Sequence, residues 1–145
     1  DMALFKFTKA IINGEPIDVY NQGDMRRDFT YIDDIVEGII RIQDVVPQVN
    51  NDWKIETASA ANSSAPYKIF NIGNGNPVKL LDFIQSLEKS IGISANKNLM
   101  PMQAGDVYQT YADVEDLFTA TGYKPAMSVE QGVDNFVQWY KNFYS

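Results

Sequence analysis

Two adjacent arginines are the residues of this sequence best suited to binding an anion. Arg26 and Arg27 follow a turn at the start of a predicted strand. Because side chains alternate across a strand, the two guanidinium groups should face opposite ways, so that one can point into a cleft. A guanidinium binds phosphate oxygens through paired N–H bonds. The alternative is a structural ion pair with Asp28, Asp33 or Asp34, and spacing alone favours it because such pairs are common.

Aromatic and carboxylate side chains near Arg27 in the predicted strands and loops would suit a nucleotide. Tyr20 ends the preceding predicted strand, and Phe29 lies on the same strand face as Arg27. A base can stack on such a ring, although core packing explains Phe29 equally well. The loop QAGD at 103–106 offers a carboxylate, Asp106, that could accept hydrogen bonds from sugar hydroxyls. A turn residue that caps local backbone is an equally good interpretation of Asp106.

The segment Gly73-Asn74-Gly75 follows a predicted strand and precedes a helix, which is the context of a dinucleotide-binding turn. The third glycine position holds Val78, whose side chain would prevent close helix–strand packing. Pro77 also removes an N–H group from the turn. We therefore interpret the segment as a strand–turn–helix connection whose glycines supply unusual backbone angles.

Several kinds of catalysis are excluded by the residues that the sequence lacks. There is no His and no Cys, so thiol nucleophiles, serine–histidine hydrolysis and histidine-based metal sites cannot be built from this chain. No tyrosine is followed four residues later by lysine. We assign no catalytic residue, no metal ligand and no cofactor-binding residue to the chain. The sequence therefore indicates that this chain lacks complete catalytic machinery.

The composition is that of one ordinary globular domain. The chain has 145 residues, of which 45% are hydrophobic and 21% charged. The net charge of −7 argues against nucleic acid as a partner. No apolar run approaches the roughly 20 residues that span a bilayer, so no membrane partner is expected. The N-terminus lacks the features of a signal peptide, and we expect a cytoplasmic protein.

Helices and short strands alternate along the chain and predict an α/β fold that is locally α+β, with about five helices. Asp33 or Asp34 should cap the second helix, and Ser128 with Gln131 should form a capping box for the last one. Helices are predicted at about 2–13, 35–42, 79–91, 113–121 and beyond 128. Strands are predicted at 16–20, 27–32 and 67–72, with a short extended piece at 98–102.

Several segments together resemble one enzyme family. The segment RDFTYIDD at 27–34 is similar to a signature of the extended short-chain dehydrogenase/reductases that act on nucleotide sugars. The segments DMALFKFTKAI, SSAPYKIFNIGN and MQAGDVYQTYAD, with the closing helix, narrow the resemblance to the UDP-glucuronate 4-epimerase branch of the NAD-dependent epimerase/dehydratase family. The resemblance covers essentially the whole chain, in order.

The resemblance implies an enzyme of two parts. An N-terminal Rossmann domain would bind NAD and carry the catalytic Ser/Thr, Tyr and Lys, and a smaller C-terminal part would hold the UDP-sugar. Hydride would leave C4 of a UDP-uronic acid for the nicotinamide and return to the other face. The helix that starts abruptly at residue 1 or 2 suggests a cut chain, so residues 1–145 are expected to be the C-terminal sugar-nucleotide-binding part. Alone, this part should be inactive and bind no cofactor.

The resemblance also implies roles for individual residues. Arg27 would contact the UDP diphosphate, while Val19, through its backbone, and Tyr20 would line the uridine pocket. Asp106 would contact sugar or ribose hydroxyls. Gln103 stands where many relatives carry a second diphosphate arginine, and this Gln is common in the glucuronate branch.

Other functions and partners remain open from the sequence. The chain could be a non-catalytic nucleotide-binding or interaction module of the same fold, or part of another sugar-nucleotide dehydratase or decarboxylase. The full enzyme is expected to be a homodimer. Segments 34–42 and 67–72 should expose apolar faces when this chain is alone, which predicts self-association.

Overall fold

A computed structural model describes residues 2–57 and 59–144. In chain order the described elements are α1 (Ala3–Ile12), β1 (Ile17–Val19), a 3-10 turn (Tyr20–Gly23), β2 (Arg26–Arg27), α2 (Ile32–Ile42), a 3-10 turn (Ile55–Thr57), β3 (Val78–Lys79), α3 (Leu80–Ile91), β4 (Lys97–Leu99), α4 (Glu115–Thr121) and α5 (Val129–Tyr144). Five α-helices with a few short strands confirm the predicted fold class.

The strands form two small sheets between distant parts of the chain. β1 pairs in parallel with β4, with Ile17 opposite Lys97. β2 pairs antiparallel with β3, with Arg27 opposite Val78. β1 and β2 follow α1 in the chain, and β3 directly precedes α3. The pairing of β2 with β3 therefore holds Arg26 and Arg27 close to the helices that form the core.

The core lies between α1, α3 and α5. Phe83, Ile84 and Leu87 on one face of α3 are fully buried, and they pack with Val133 and Val137 of α5. Apolar residues at helical spacing on all three helices explain why these elements form and why they associate. Burial of each such side chain stabilises the fold by about 1.5–3 kcal/mol.

The predicted capping box of α5 is present, and α3 ends at Ile91 as predicted. Ser128 and Gln131 form the capping box of α5: the Gln131 amide donates to the Ser128 hydroxyl at 3.2 Å, and the Ser128 amide donates to the Gln131 side chain at 3.3 Å. Gly92 ends α3 with φ of 85°, a left-handed conformation that glycine adopts without a steric cost.

The predicted capping of α2 by Asp33 or Asp34 is wrong. The helix begins at Ile32, and its N-cap residue, Tyr31, makes no side-chain capping bond. The Asp34 carboxylate instead accepts hydrogen bonds from the Tyr123 hydroxyl at 2.8 Å and the Met127 amide at 2.9 Å. Asp34 therefore joins α2 to the segment between α4 and α5, because these distant donors compete successfully with the local amides.

Two strand predictions are also wrong in extent. The strand expected at 27–32 ends at Arg27, and the strand expected at 16–20 ends at Val19, where Asn21 and Gln22 turn with φ of 50° and 55°. The segment 67–72 forms no strand. It makes one isolated bridge, Asn62 with Lys68, and no neighbouring strand pairs with it among the described residues. A strand needs such a partner to satisfy its backbone groups.

The outer face of α2 is apolar and exposed. Ile32, Val36, Ile39 and Ile40 are exposed, with Ile39 at 48%. The opposite side of the helix is buried at Gly38, where a Cβ would lie 3.0 Å from the Ile72 side chain. Within residues 2–57 and 59–144, no helix is long and apolar enough to cross a membrane.

Candidate functional site

A cavity of about 710 Å³ lies between the start of α1, the end of β1, β2 and the loop 103–112. Most of its lining is apolar or aromatic, including Phe5, Phe7 and Phe136, and its polar edge carries Arg27 and Asp106. An apolar cavity with a few charged groups at one edge is the usual form of a small-molecule site.

Arg27 is the cation of this edge, and its side chain is 21% exposed. Its Nη2 donates to Asp106 Oδ1 at 2.7 Å, and its Nη1 donates to the carbonyl oxygens of Arg26 at 2.8 Å and Tyr108 at 3.2 Å. A guanidinium has five N–H groups. Three of them are used in these bonds, and the described residues offer no hydrogen-bond acceptor to the other two.

The loop 103–112 is held beside β2 by backbone bonds. The Arg26 amide donates to the Tyr108 carbonyl at 2.9 Å, and the Thr110 amide donates to the Arg26 carbonyl at 3.2 Å. Asp106 lies in a turn in which its carboxylate accepts the Val107 amide at 2.8 Å. The loop therefore presents Asp106 to Arg27 on a framework fixed by main-chain contacts.

Three of the five predicted site residues line the cavity together: Tyr20, Arg27 and Asp106. Val19 is fully buried in the core, and its carbonyl accepts the Met100 amide at 2.9 Å. Gln103 is exposed on the loop outside the cavity lining, and its carbonyl accepts the Asp106 amide at 3.1 Å.

The alternatives for Arg27 and Phe29 can be compared directly with the structure. Arg27 pairs with Asp106, and not with the neighbouring acidic residues considered from spacing. Phe29 stacks on Phe83 with ring centroids 4.3 Å apart and 12° between the planes. One face of the Phe29 ring is thus used in core packing, as the core interpretation predicts, although the residue also borders the cavity.

Asp28 is an important residue of this region that the sequence did not reveal. Its Oδ2 accepts the amides of Gly75 at 3.0 Å and Ala112 at 3.1 Å, and its Oδ1 accepts the Asn76 amide at 3.4 Å. The glycine-rich turn after residue 72 was a signal for such an acceptor, because a turn that exposes successive amides binds anions.

The same contacts decide whether the Gly73-Asn74-Gly75 turn fits a dinucleotide. Its Asn74 amide donates to the Thr30 hydroxyl at 3.0 Å, and its Gly75 amide donates to Asp28. A Cβ on Gly73 would lie 2.4 Å from the Ala112 side chain, so the space above the turn is occupied by this chain itself. The turn does not fit the pyrophosphate of NAD.

The described residues contain no group of three or more acidic side chains that could hold a metal ion. A largely apolar cavity with one half-buried arginine, Arg27, and the carboxylates of Asp18, Asp28 and Asp106 could instead hold an anionic ligand that has both a flat ring and hydroxyl groups.

The family model for the NAD dependent epimerase/dehydratase family matches residues 1–73, which is half of the chain. The chain belongs to the NAD-dependent epimerase/dehydratase family. It is 56% identical over 144 residues to an uncharacterized 37.6 kDa protein of Escherichia coli O111:H-, and the match covers 99% of this chain and 43% of that protein. It is 50% identical over 145 residues to a probable UDP-glucuronate 4-epimerase of Rhizobium meliloti, covering 99% of this chain and 42% of that protein.

A solved structure of this epimerase family is also similar. It is the UDP-glucuronic acid 4-epimerase of Bacillus cereus in complex with UDP-glucuronic acid and NAD, with 28% identity, a TM-score of 0.78, and coverage of 99% of this chain and 41% of that chain. The family and the fold expected from the resemblance are thereby confirmed. The chain spans about two fifths of the length of the relatives it matches, and it corresponds to the C-terminal portion of the structural neighbours.

Proposed function

We propose that residues 1–145 form the sugar-nucleotide-binding part of an NAD-dependent 4-epimerase that acts on a UDP-uronic acid. The observation that carries the proposal is the position of Arg27, a half-buried cation at the edge of a largely apolar cavity in a protein of net charge −7. The overall field of such a protein repels an anion. A diphosphate would therefore be bound by local hydrogen bonds rather than by long-range attraction.

The two N–H groups of Arg27 that are free of described acceptors allow a diphosphate to bind without first breaking the contact with Asp106. Asp106 has acceptor capacity beyond its bonds to Arg27 and Val107, since an ionised carboxylate has about four acceptor positions. It could accept hydroxyl groups of the ribose or the sugar while it still holds the arginine. We place the uracil ring near Tyr20, which lines the same cavity.

The remaining chemistry is assigned to residues outside this sequence. The glycine-rich turn at residues 73–75 does not fit NAD. No tyrosine of the chain is followed four residues later by a lysine. We therefore propose that an N-terminal Rossmann domain supplies the cofactor site and the acid–base residues. The complete enzyme would be a cytoplasmic homodimer that removes hydride from C4 and returns it to the opposite face. The similarity to the Rhizobium and Bacillus proteins supports this substrate class.

Binding of UDP and UDP-glucuronate to the 145-residue chain tests the proposal. Saturation-transfer NMR should detect binding weaker than micromolar, because a cavity formed by only part of an enzyme is incompletely preorganised. Arg27→Ala should abolish the signal, and Arg41→Ala should retain it, since Arg41 is exposed on α2 and pairs with Glu37. A signal that survives Arg27→Ala would contradict the proposal, and micromolar or tighter binding would contradict the assignment of half the site to another domain.

The coding sequence provides a second test. A reading frame that continues upstream of Asp1 should encode a glycine-rich cofactor loop and a Tyr-x-x-x-Lys pair. An in-frame stop codon immediately upstream would favour a non-catalytic binding module. Assays of the full-length product with UDP-glucuronate would then separate 4-epimerisation from dehydration or decarboxylation.

A further inference from the structure

Asp28 lies at a junction of three chain segments that are far apart in sequence. Its carboxylate accepts the amides of Gly75 and Asn76 from one loop and of Ala112 from another. Its own amide donates to the Thr110 hydroxyl at 3.0 Å. Asp28 therefore makes hydrogen bonds to the other two segments through both its main chain and its side chain.

The two loops that meet at Asp28 are packed very closely. A Cβ on Gly73 would lie 2.4 Å from the Ala112 Cβ and 3.4 Å from Asp28 Oδ2. Real Cβ atoms do not approach other atoms this closely, so only glycine allows the approach at position 73. The carboxylate fills the space between two loops whose amides would otherwise lack acceptors, which is a costly arrangement for backbone groups.

The loop that Asp28 anchors is the one that presents the partners of Arg27. Asp106 and Tyr108 hold the guanidinium, and the same loop reaches Ala112 only four residues after Tyr108. At its other end the loop follows β4, where the Met100 amide donates to the Val19 carbonyl. The loop is therefore fixed at both ends, by β4 and by Asp28.

We propose that Asp28 is a positioning residue for the nucleotide-sugar site. It fixes the loop 103–112 through Ala112 and Thr110, and so sets the place of the groups that orient Arg27. The expected effect of Asp28 on ligand binding rests on the proposed function, whereas its expected effect on the order of the loop does not. Asp28 itself borders the cavity as a carboxylate whose oxygens are directed to three amides.

To fix the loop, residue 28 needs a side-chain hydrogen-bond acceptor of the size of aspartate, but this acceptor does not have to be charged. Asparagine with its oxygen at the Oδ2 position would keep the bonds to Gly75 and Ala112 and would lose the 3.4 Å bond to Asn76. Alanine would lose all three. The two substitutions should therefore differ in their effect on the order of the loop 103–112. Asp28→Asn should be close to the wild type, and Asp28→Ala should be strongly affected.

Residue-specific amide hydrogen exchange on the 145-residue chain tests the inference. Asp28→Ala should accelerate exchange of the Asp106, Val107 and Thr110 amides by about tenfold or more, the effect of losing more than one net hydrogen bond. Amides within α3 and α5 should exchange as in the wild type. Asp28→Asn should restore the slow exchange, and Asp44→Ala, which removes an exposed carboxylate after α2, should change nothing at the loop.

Saturation-transfer NMR with UDP completes the test. Asp28→Ala should weaken binding about tenfold, and Asp28→Asn should restore most of it. Unchanged exchange in the loop would overturn the inference, and so would acceleration that extends equally to α3, since that would be loss of overall stability. If Asp28→Ala does not fold, Asp28→Asn should still accelerate exchange of the Asn76 amide alone, because only that bond is lost, and unchanged exchange at Asn76 would contradict the acceptor role. If Arg27→Ala leaves UDP binding intact, the proposed function fails while the exchange result still decides the role of Asp28.

Discussion

The inner face of α3 and the outer face of α2 carry the same kind of side chain in opposite environments. On α3, Phe83 and Leu87 are fully buried against α1 and α5. On α2, Val36 and Ile40 have the same four-residue spacing and are about half exposed. An amphipathic pattern thus predicts that a helix has an apolar face. It does not predict whether another element of the same chain packs against that face.

Substitutions on the two faces should differ most in stability. Leu87→Ala should lower the free energy of unfolding by about 2–5 kcal/mol, because it removes buried contacts and leaves a cavity. Ile39→Ala should change it by no more than about 0.5 kcal/mol. Urea unfolding followed by circular dichroism, at a concentration where the chain is monomeric, measures both. Equal losses at the two positions would show that the α2 face is buried in solution.

The exposed face of α2 should make the isolated chain self-associate. We expect dimers or larger species by light scattering at micromolar concentration, because contiguous exposed apolar surface favours association. Ile39→Glu should shift the chain toward the monomer, whereas Ile93→Glu, at an exposed position beyond α3, should not. A wild-type chain that is cleanly monomeric at this concentration would refute the expectation.

The smallest expected effect concerns the contact between α2 and Tyr123. Burial, the hydrogen bond to Asp34 and the charges of Asp34 and Glu37 raise the pKa of Tyr123 from 10.0 to about 12, against the opposing effect of Arg41. A pKa that is raised by folding gives stability that is present below pH 10 and is lost as the pH rises toward 12.

Tyr123→Phe provides the measurement of this contact. At pH 8 the variant should be less stable by about 1 kcal/mol, the usual net value of such a hydrogen bond. The difference between the two proteins should shrink between pH 10 and pH 11 in urea titrations. A difference that stays constant over this range would mean that the Tyr123 hydroxyl titrates normally in the folded chain.

Features that depend on neighbouring residues were predictable from the sequence, and features that depend on distant partners were not. The α5 capping box at Ser128 and Gln131 and the end of α3 at Ile91 are local, and both were predicted. Asp34 has the right residue type and position for an N-cap, yet Tyr123 and Met127 use its carboxylate. The segment 67–72 has the composition of a strand but no pairing strand in the described structure.

The candidate site shows the same division. Residue types and the family resemblance indicated Tyr20, Arg27 and Asp106 one by one, and the cavity brings these three together. Nothing in the spacing indicated that Arg27 and Asp106 would bond to each other across 79 positions. The role of Asp28 was missed for the same reason, because its acceptor function depends on two loops that follow it by 47 and 84 positions.

The long separation between Arg27 and Asp106 also has a consequence for synthesis of the protein. A ribosome that adds about 5–20 residues per second needs several seconds to pass from one residue to the other. During that time the growing chain contains Arg27 but not yet Asp106, and β1 but not yet its partner strand β4. Helices can form as they emerge, but the contact between Arg27 and Asp106 has to wait for the last third of the chain, so its appearance would report completed folding rather than an early step.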